Sequence, residues 1–153
     1  MDAVAYIDPA VITFINHNLV PLRLPAADKT LGARYKIKWT PTLLIIDGDG
    51  VEQDRTLGFY PPTELIPSLL LGMGKAQFNL PDRVAACGCF DRIVEEYPDS
   101  SQAPEAVYLR GVSRYIETRE VTNLIAIYDH LADDYPDSPW LIRADPYRLL
   151  KKV

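Results

Sequence analysis

The stretch TLLIIDGDGVEQDRTL, from Thr42 to Leu57, constrains the fold of this chain more than any other part of it. Thr42 to Ile46 is a run of β-branched residues and leucines, which predicts a buried strand. Asp47-Gly48-Asp49-Gly50 predicts a tight turn, because glycine adopts positive φ without a steric penalty. Val51 to Leu57 predicts a second strand, so this segment is expected to form a β-hairpin.

Helices and one further strand are predicted around the hairpin. Asp8-Pro9 has the pattern of a helix start, with an acidic cap followed by proline at the first helical position. A second, short helix is predicted from about Asp28 to Tyr35, and a third from Pro61-Pro62 to about Phe78. Leu19 to Leu24 predicts a short strand, and Pro21 places it at an edge or a bulge.

This order of elements, with Thr40-Pro41-Thr42 before the hairpin and Gly58-Phe59-Tyr60-Pro61 after it, resembles the thioredoxin family. The resemblance covers roughly the first half of the chain and implies an α/β domain over residues 1–78. It also implies a cis peptide bond between Thr40 and Pro41, an isomer that costs little before proline and marks a tight turn. Trp39, Thr40 and Pro41 are the residues that would line the substrate side of such a domain.

The redox half of a thioredoxin-like domain is missing from the sequence. An enzyme of this kind needs a strand followed by Cys-x-x-Cys at a helix start, where the helix dipole and neighbouring groups lower the pKa of the thiol. No cysteine precedes Trp39, and the sequence is expected to begin inside the region that follows that motif. We therefore predict an incomplete thioredoxin-like fold, its β-α-β-β-α portion, with no catalytic residue. A parent protein with an upstream segment would be a thiol-disulfide oxidoreductase.

The missing strand would lie between the predicted strands at Leu19–Leu24 and Thr42–Ile46. Its absence leaves unpaired backbone groups that water or another chain must satisfy. Three outcomes are open: the two strands close up, a second copy donates a strand, or this unit is only partly ordered. A rearranged sheet, or a homodimer that completes the sheet, is favoured.

The second half of the chain is predicted to be helical and to repeat. The segment CFDRIVEEYPDSSQAPE, from Cys89, matches IYDHLADDYPDSPWLIR, from Ile127, and Pro136 follows Pro98 by 38 residues. Self-similarity at a period between about 20 and 50 residues is typical of helical repeats. The pattern resembles tetratricopeptide-like repeats, which implies an all-α region over residues 79–153 that binds a protein or peptide. Because such arrays need about three repeats for stability, the helices are expected to pack on Leu65–Met73.

Cys87 and Cys89 are the only cysteines, and Cys87-Gly88-Cys89 falls in the middle of a predicted helix. Helical backbone does not easily close the small ring that a disulfide between them would require. Free cysteines are among the most buried residue types, so a packing role is favoured over a redox pair.

No metal site or cofactor is predicted. Asp47, Asp49 and Glu52 depart from the spacing of a calcium loop, and a plain turn explains them. His17 and His130 have no partner at the spacing of metal ligands. No phosphate-binding loop and no serine-nucleophile motif is present.

Charge and cysteine content exclude some classes of function. The formal net charge of -5 argues against a nucleic-acid partner, whose binding protein is expected to be basic. The longest apolar run, Leu65 to Met73, is too short to cross a bilayer. Two cysteines provide no disulfide framework, so a reducing, cytoplasmic location is expected.

The leading hypothesis is a thioredoxin-related protein, a truncated or redox-inactive relative of the oxidoreductases, with a helical region for protein interaction. The alternative is a non-enzymatic module that binds a protein or peptide through the thioredoxin-like surface and the helical repeats. Trp39 belongs either to a substrate groove or to simple packing. The basic residues beside it, Arg34, Lys36 and Lys38, are expected to form a solvated face.

Overall fold

The computed structural model describes residues 1, 4–80 and 83–152, which contain seven α-helices, one 3₁₀ helix and one hairpin. The first half contains two helices, the hairpin and a long helix: α1 (Pro9–Asn18), α2 (Lys29–Arg34), β1 (Thr42–Ile46), β2 (Glu52–Leu57) and α3 (Pro62–Asn79). Helices form the second half: α4 (Arg83–Glu96), α5 (Ala103–Thr118), α6 (Thr122–Asp134), α7 (Pro139–Ala144) and a 3₁₀ helix, Asp145–Lys152.

Local capping explains where the first two helices begin. The Asp8 carboxylate accepts hydrogen bonds from the N–H groups of Ala10 and Val11, at 2.9 and 3.2 Å. Asp28 caps α2 in the same way, accepting from Thr30 and Leu31. These side chains satisfy backbone donors that have no partner inside the helix. Both predicted helix starts are therefore confirmed.

The hairpin is confirmed, and β1 has the predicted bounds. The two strands pair antiparallel from Thr42↔Leu57 to Ile46↔Glu52, with an irregularity between Ile45 and Ile46. The Asp47 carboxylate accepts from the N–H groups of Asp49 and Val51, which closes the turn. Gly50 has a φ of 77°, a conformation that suits glycine at this position.

The predicted strand at Leu19–Leu24 is wrong: this segment is not part of a strand. The sheet has β1 and β2 as its two strands within the described residues, so the first half reads α-α-β-β-α instead of β-α-β-β-α. A strand needs a hydrogen-bonded neighbour, and within the described residues β1 and β2 pair with each other and not with this segment. Pro21 and Pro25 also remove two backbone donors. The side chains of Val20 and Leu22 are consequently 97% and 77% exposed.

Helix α3 is the element that joins the two halves. Leu65 and Leu70 are buried in a core that contains Val11 and Phe14 of α1 and Phe90 and Ile93 of α4. A second, smaller core holds Val107, Ile127, Leu131 and Ala144, from α5, α6 and α7.

A charged contact also crosses the junction between the halves. Lys75 Nζ of α3 lies 3.2 Å from Asp54 Oδ1 of β2 and 2.8 Å from Glu105 Oε1 of α5. All three side chains are less than one third exposed. Partial burial opposes the charge on Lys75, but the two carboxylates outweigh it and raise the pKa of the lysine. The hairpin, α3 and α5 are therefore held by one cation.

Candidate functional site: the hairpin mouth and the helical repeats

The residues assigned by resemblance to a substrate side lie together at the open end of the hairpin. Trp39, Thr40 and Pro41 immediately precede β1, and the peptide bond between Thr40 and Pro41 is cis. Thr42 Oγ1 donates to the carbonyl of Trp39 at 2.6 Å, and the N–H of Gly58 donates to the carbonyl of Pro41 at 2.9 Å. The segment before β1 is thus fixed against the segment after β2.

Large apolar side chains are exposed at this end of the hairpin. Trp39 is 67% exposed, Leu57 is 56% exposed and Phe59 is 55% exposed. We call these three residues the hairpin patch. Single exposed apolar residues are common on protein surfaces, whereas these three lie at one end of the hairpin.

Three basic residues precede the hairpin patch in the chain. Arg34, Lys36 and Lys38 are all exposed, and Lys36 has a positive φ of 50°. Arg34 Nη2 donates to the carbonyl of Gly50 at 3.4 Å, at the opposite end of the hairpin. Lys38 is therefore the basic residue that adjoins Trp39, while Arg34 reaches the turn end of the hairpin.

The two cysteines lie on α4, as predicted, and both thiols are free. Residues two apart on a helix do not face each other, which keeps the sulfur atoms from pairing. Partial burial raises the pKa of both thiols, and Arg92 acts against this at Cys89. A raised pKa reduces the thiolate that redox chemistry requires.

A charged network between α4, α5 and α6 went unrecognised in the sequence. His130 Nδ1 lies 3.2 Å from Arg110 Nη2, and its Nε2 lies 3.1 Å from Asp134 Oδ2. Arg110 also pairs with Asp91 of α4, whose carboxylate accepts from Arg114 as well. The spacing of four residues between His130 and Asp134 was a visible signal on one helix. The contact to Arg110 depends on how α5 packs against α6.

His17, the other histidine, is exposed on α1, where its Nδ1 lies 2.8 Å from the carbonyl of Thr13. Among the residues that the structure describes, no group of three or more histidine, cysteine, aspartate or glutamate side chains has the geometry to hold a metal ion. Within the same residues, none of the helices combines the length and the apolar character that a membrane span requires.

The long helix α3 of the first half packs with α4, and α5 packs with α6, which gives two helix pairs. Each pair ends in Tyr-Pro-Asp-Ser, at residues 97–100 and 135–138. The hydroxyl of Tyr135, in the second of these turns, donates to the carbonyl of Pro98 in the first at 2.8 Å. The repeated sequence is therefore a repeated structure, and its two copies touch.

A tetratricopeptide repeat matches residues 68–100. The match begins inside α3, runs through α4 and ends at the first Tyr-Pro-Asp-Ser turn. The repeat prediction is thus confirmed for a helix pair that includes most of α3, a helix that the sequence had placed largely in the first domain. No thioredoxin-like family matches the chain. Neither a curated protein nor a solved structure matches it.

Aromatic side chains from α5, α7 and the 3₁₀ helix pack together at the C-terminal side of the helical region. The rings of Tyr108 and Trp140 lie 5.1 Å apart, and Tyr108 and Tyr147 share a hydrogen bond of 3.0 Å between their hydroxyls. Burial and this hydrogen bond raise the pKa of Tyr147 to about 12. A shallow groove beside it is lined by Tyr128, Leu141, Ile142, Asp145 and Pro146, and Ile142 is 77% exposed.

Proposed function

We propose that this chain is a protein-binding module built on two tetratricopeptide-like helix pairs. The observation that carries the proposal is the repeat match over α3 and α4, followed by a second helix pair that ends in the same turn. Stacked helical repeats form extended surfaces, and proteins use them to hold other proteins.

The hairpin patch extends this surface and suggests the chemistry of the partner. Trp39, Leu57 and Phe59 offer apolar area, and aromatic side chains are frequent anchors of binding energy. Lys38, which adjoins Trp39 in the chain and is exposed, favours negative charge close by. The partner class that fits best is a protein segment with an apolar side chain flanked by aspartate or glutamate.

A second candidate is a redox-inactive or truncated relative of the thioredoxin family. The order hairpin, then long helix, and the sequence Thr40-Pro41-Thr42 before the hairpin support it. In that case Trp39, Thr40 and Pro41 would contact the substrate, and a parent with an upstream redox motif would be an oxidoreductase. A disulfide reductase assay of this chain is expected to give the background rate. A rate above background that is lost on changing Cys87 or Cys89 would contradict the redox-inactive form.

Peptide binding tests the proposed function directly. A synthetic array of peptides with one central apolar residue, with and without flanking acidic residues, supplies defined ligands, and calorimetry gives their affinities. Trp39→Ala should weaken binding of selected peptides by about tenfold or more, as truncation of an aromatic anchor does. Ile142→Ala tests the groove beside α7 in the same way.

Val51→Ala is the matched control, because Val51 is 54% exposed at the opposite end of the hairpin. Equal affinities for Trp39→Ala, Ile142→Ala and Val51→Ala would contradict both proposed surfaces. Higher salt should weaken binding of the acidic peptides only, since screening acts on exposed charges.

Self-association and a cytoplasmic location belong to the same proposal. The outer edge of β1 and the exposed segment at residues 20–24 are the surfaces that a second copy would use to complete the sheet. Two free, partly buried thiols suit a reducing compartment.

A further inference from the structure

The protonation state of His130 follows from its neighbours. A guanidinium has only donors, so the contact of 3.2 Å from Arg110 Nη2 requires His130 Nδ1 to be an acceptor. The proton of the imidazole then lies on Nε2, 3.1 Å from Asp134 Oδ2. These neighbours favour the neutral form of His130 with its proton on Nε2.

Charges from three helices surround this imidazole. Arg110 approaches from α5, and Asp133 and Asp134 lie on α6 itself. Asp91 of α4 acts through Arg110, with which it pairs at 3.4 Å. Partial burial and then Arg110 lower the pKa of His130, and the two aspartates oppose them without overcoming them.

His130 is also in contact with the junction between the two helix pairs. Its ring stacks on that of Tyr135, with centroids 6.0 Å apart and planes inclined by 19°. The hydroxyl of Tyr135 donates to the carbonyl of Pro98 at 2.8 Å. One stacked ring therefore separates a titratable group on α6 from the turn that follows α4.

We propose that His130 is a pH-sensitive clamp between the two helix pairs. Protonation of Nδ1 removes the acceptor of the Arg110 hydrogen bond and places two cations side by side. The imidazole then turns away from Arg110, the stack with Tyr135 loosens, and the bond from Tyr135 to Pro98 weakens. The repeat surface is fixed at neutral pH and loosens in mildly acidic solution.

The direction of the pH effect follows from the linkage between proton binding and the stability of each state. We call the clamp closed when His130 contacts Arg110 and Tyr135, and open when these contacts are lost. Because the closed state lowers the pKa of His130, the imidazole binds a proton less readily in the closed state than in the open state. The closed state is fully favoured above the ordinary histidine pKa of about 6.5, and it loses stability as the pH falls below that value. The loss is complete once the pH is below the lowered pKa of the closed state.

A nuclear magnetic resonance titration of the whole chain tests the clamp. Two histidines give two imidazole signals, and His17→Gln and His130→Gln assign them. We expect the amide signals of Tyr97, Asp99 and Ser100 to shift with the same midpoint as the His130 ring. In His130→Gln these amide shifts should disappear, because glutamine keeps an acceptor and a donor but does not titrate, and in His17→Gln they should persist.

Tyr135→Phe separates the clamp from simple proximity. This variant keeps the stacked ring and removes the hydroxyl, so the His130 ring should still titrate while the amides of Tyr97, Asp99 and Ser100 no longer follow it. The proposal is overturned if those amides ignore the His130 midpoint in the unmodified chain, a result that requires no variant. It is equally overturned if they follow the same midpoint in His130→Gln.

Discussion

Gly74 of α3 lies directly against the ring of Phe90 of α4, with no room for a side chain between them: a Cβ on residue 74 would lie 2.9 Å from Phe90 Cδ1. The second helix pair repeats the relationship, since a Cβ on Gly111 of α5 would overlap the side chain of Ile127 of α6. Gly111 follows Gly74 by 37 residues, and Ile127 follows Phe90 by the same number. Each helix pair therefore contains one close approach of a glycine to a large buried side chain, at a spacing one residue shorter than the 38 residues between the two Tyr-Pro-Asp-Ser turns.

Gly74→Ala should destabilise the chain even though alanine favours helices. The added methyl group forces the buried ring of Phe90 to move, and overpacking of this kind costs about 1–3 kcal/mol. Gly111→Ala should behave alike against Ile127. The free energy of unfolding from urea titration is the measurement.

Gly88→Ala on α4 is the control for both variants. A Cβ at residue 88 meets nothing within 4 Å, so helix propensity alone should act and stabilise the chain by about 0.5–1 kcal/mol. Equal changes in the free energy of unfolding at residues 74 and 88 would show that Gly74 and Phe90 do not pack closely enough to exclude a methyl group.

Lys75→Met should weaken the connection between the hairpin and the helical region. The change leaves Asp54 and Glu105 without their shared cation while both carboxylates are largely shielded from water. Loss of hydrogen bonds to charged groups costs about 1.5–3 kcal/mol, and partial exposure places the expected loss at the lower end. A double-mutant cycle with Glu105→Gln measures the coupling in chemical denaturation.

The exposed pair of Arg148 and Asp145 provides the comparison. Its side chains are 53% and 52% exposed, so Arg148→Gln should change the free energy of unfolding by less than about 1 kcal/mol. A loss as small in Lys75→Met would mean that the cation does not hold the junction.

The sequence predicted those elements whose causes are local. Asp8 and Asp28 cap helices through bonds to residues two and three positions ahead, and Asp-Gly turns act within a few residues. The prediction of a strand at Leu19–Leu24 was wrong because a strand forms only beside a hydrogen-bonded neighbour. No local sequence pattern shows whether that neighbour is present. The Arg110–His130 contact was not predicted for a related reason. The two residues are 20 positions apart on successive helices, and their contact depends on how those helices pack.

The exposed segment between α1 and α2 should tolerate polar substitution. Val20 and Leu22 are 97% and 77% exposed, and surface changes of this kind usually alter stability by less than about 0.5 kcal/mol. Val20→Ser with Leu22→Ser should therefore leave the free energy of unfolding of the monomer unchanged. Val11→Ser in the buried core of α1 is the contrasting variant and should be strongly destabilising.

The same double variant tests whether a second copy completes the sheet. Sedimentation equilibrium should show weaker self-association for Val20→Ser with Leu22→Ser than for the unmodified chain, because this segment is one of the two surfaces that such a dimer would use. Identical association constants would exclude the segment from the contact.

Cys87 and Cys89 should react slowly with thiol reagents while the chain is folded. Burial raises the pKa of both thiols, and alkylation proceeds through the thiolate, so the rate should begin to rise at a higher pH than for a free cysteine, whose pKa is about 8.5. Alkylation by iodoacetamide, followed by mass spectrometry, should become much faster after unfolding in guanidinium.

The single variants Cys87→Ser and Cys89→Ser assign each rate to its thiol. Rapid alkylation of the folded chain at neutral pH, or a bond between the two sulfur atoms that a phosphine reductant opens, would instead support redox work at this pair.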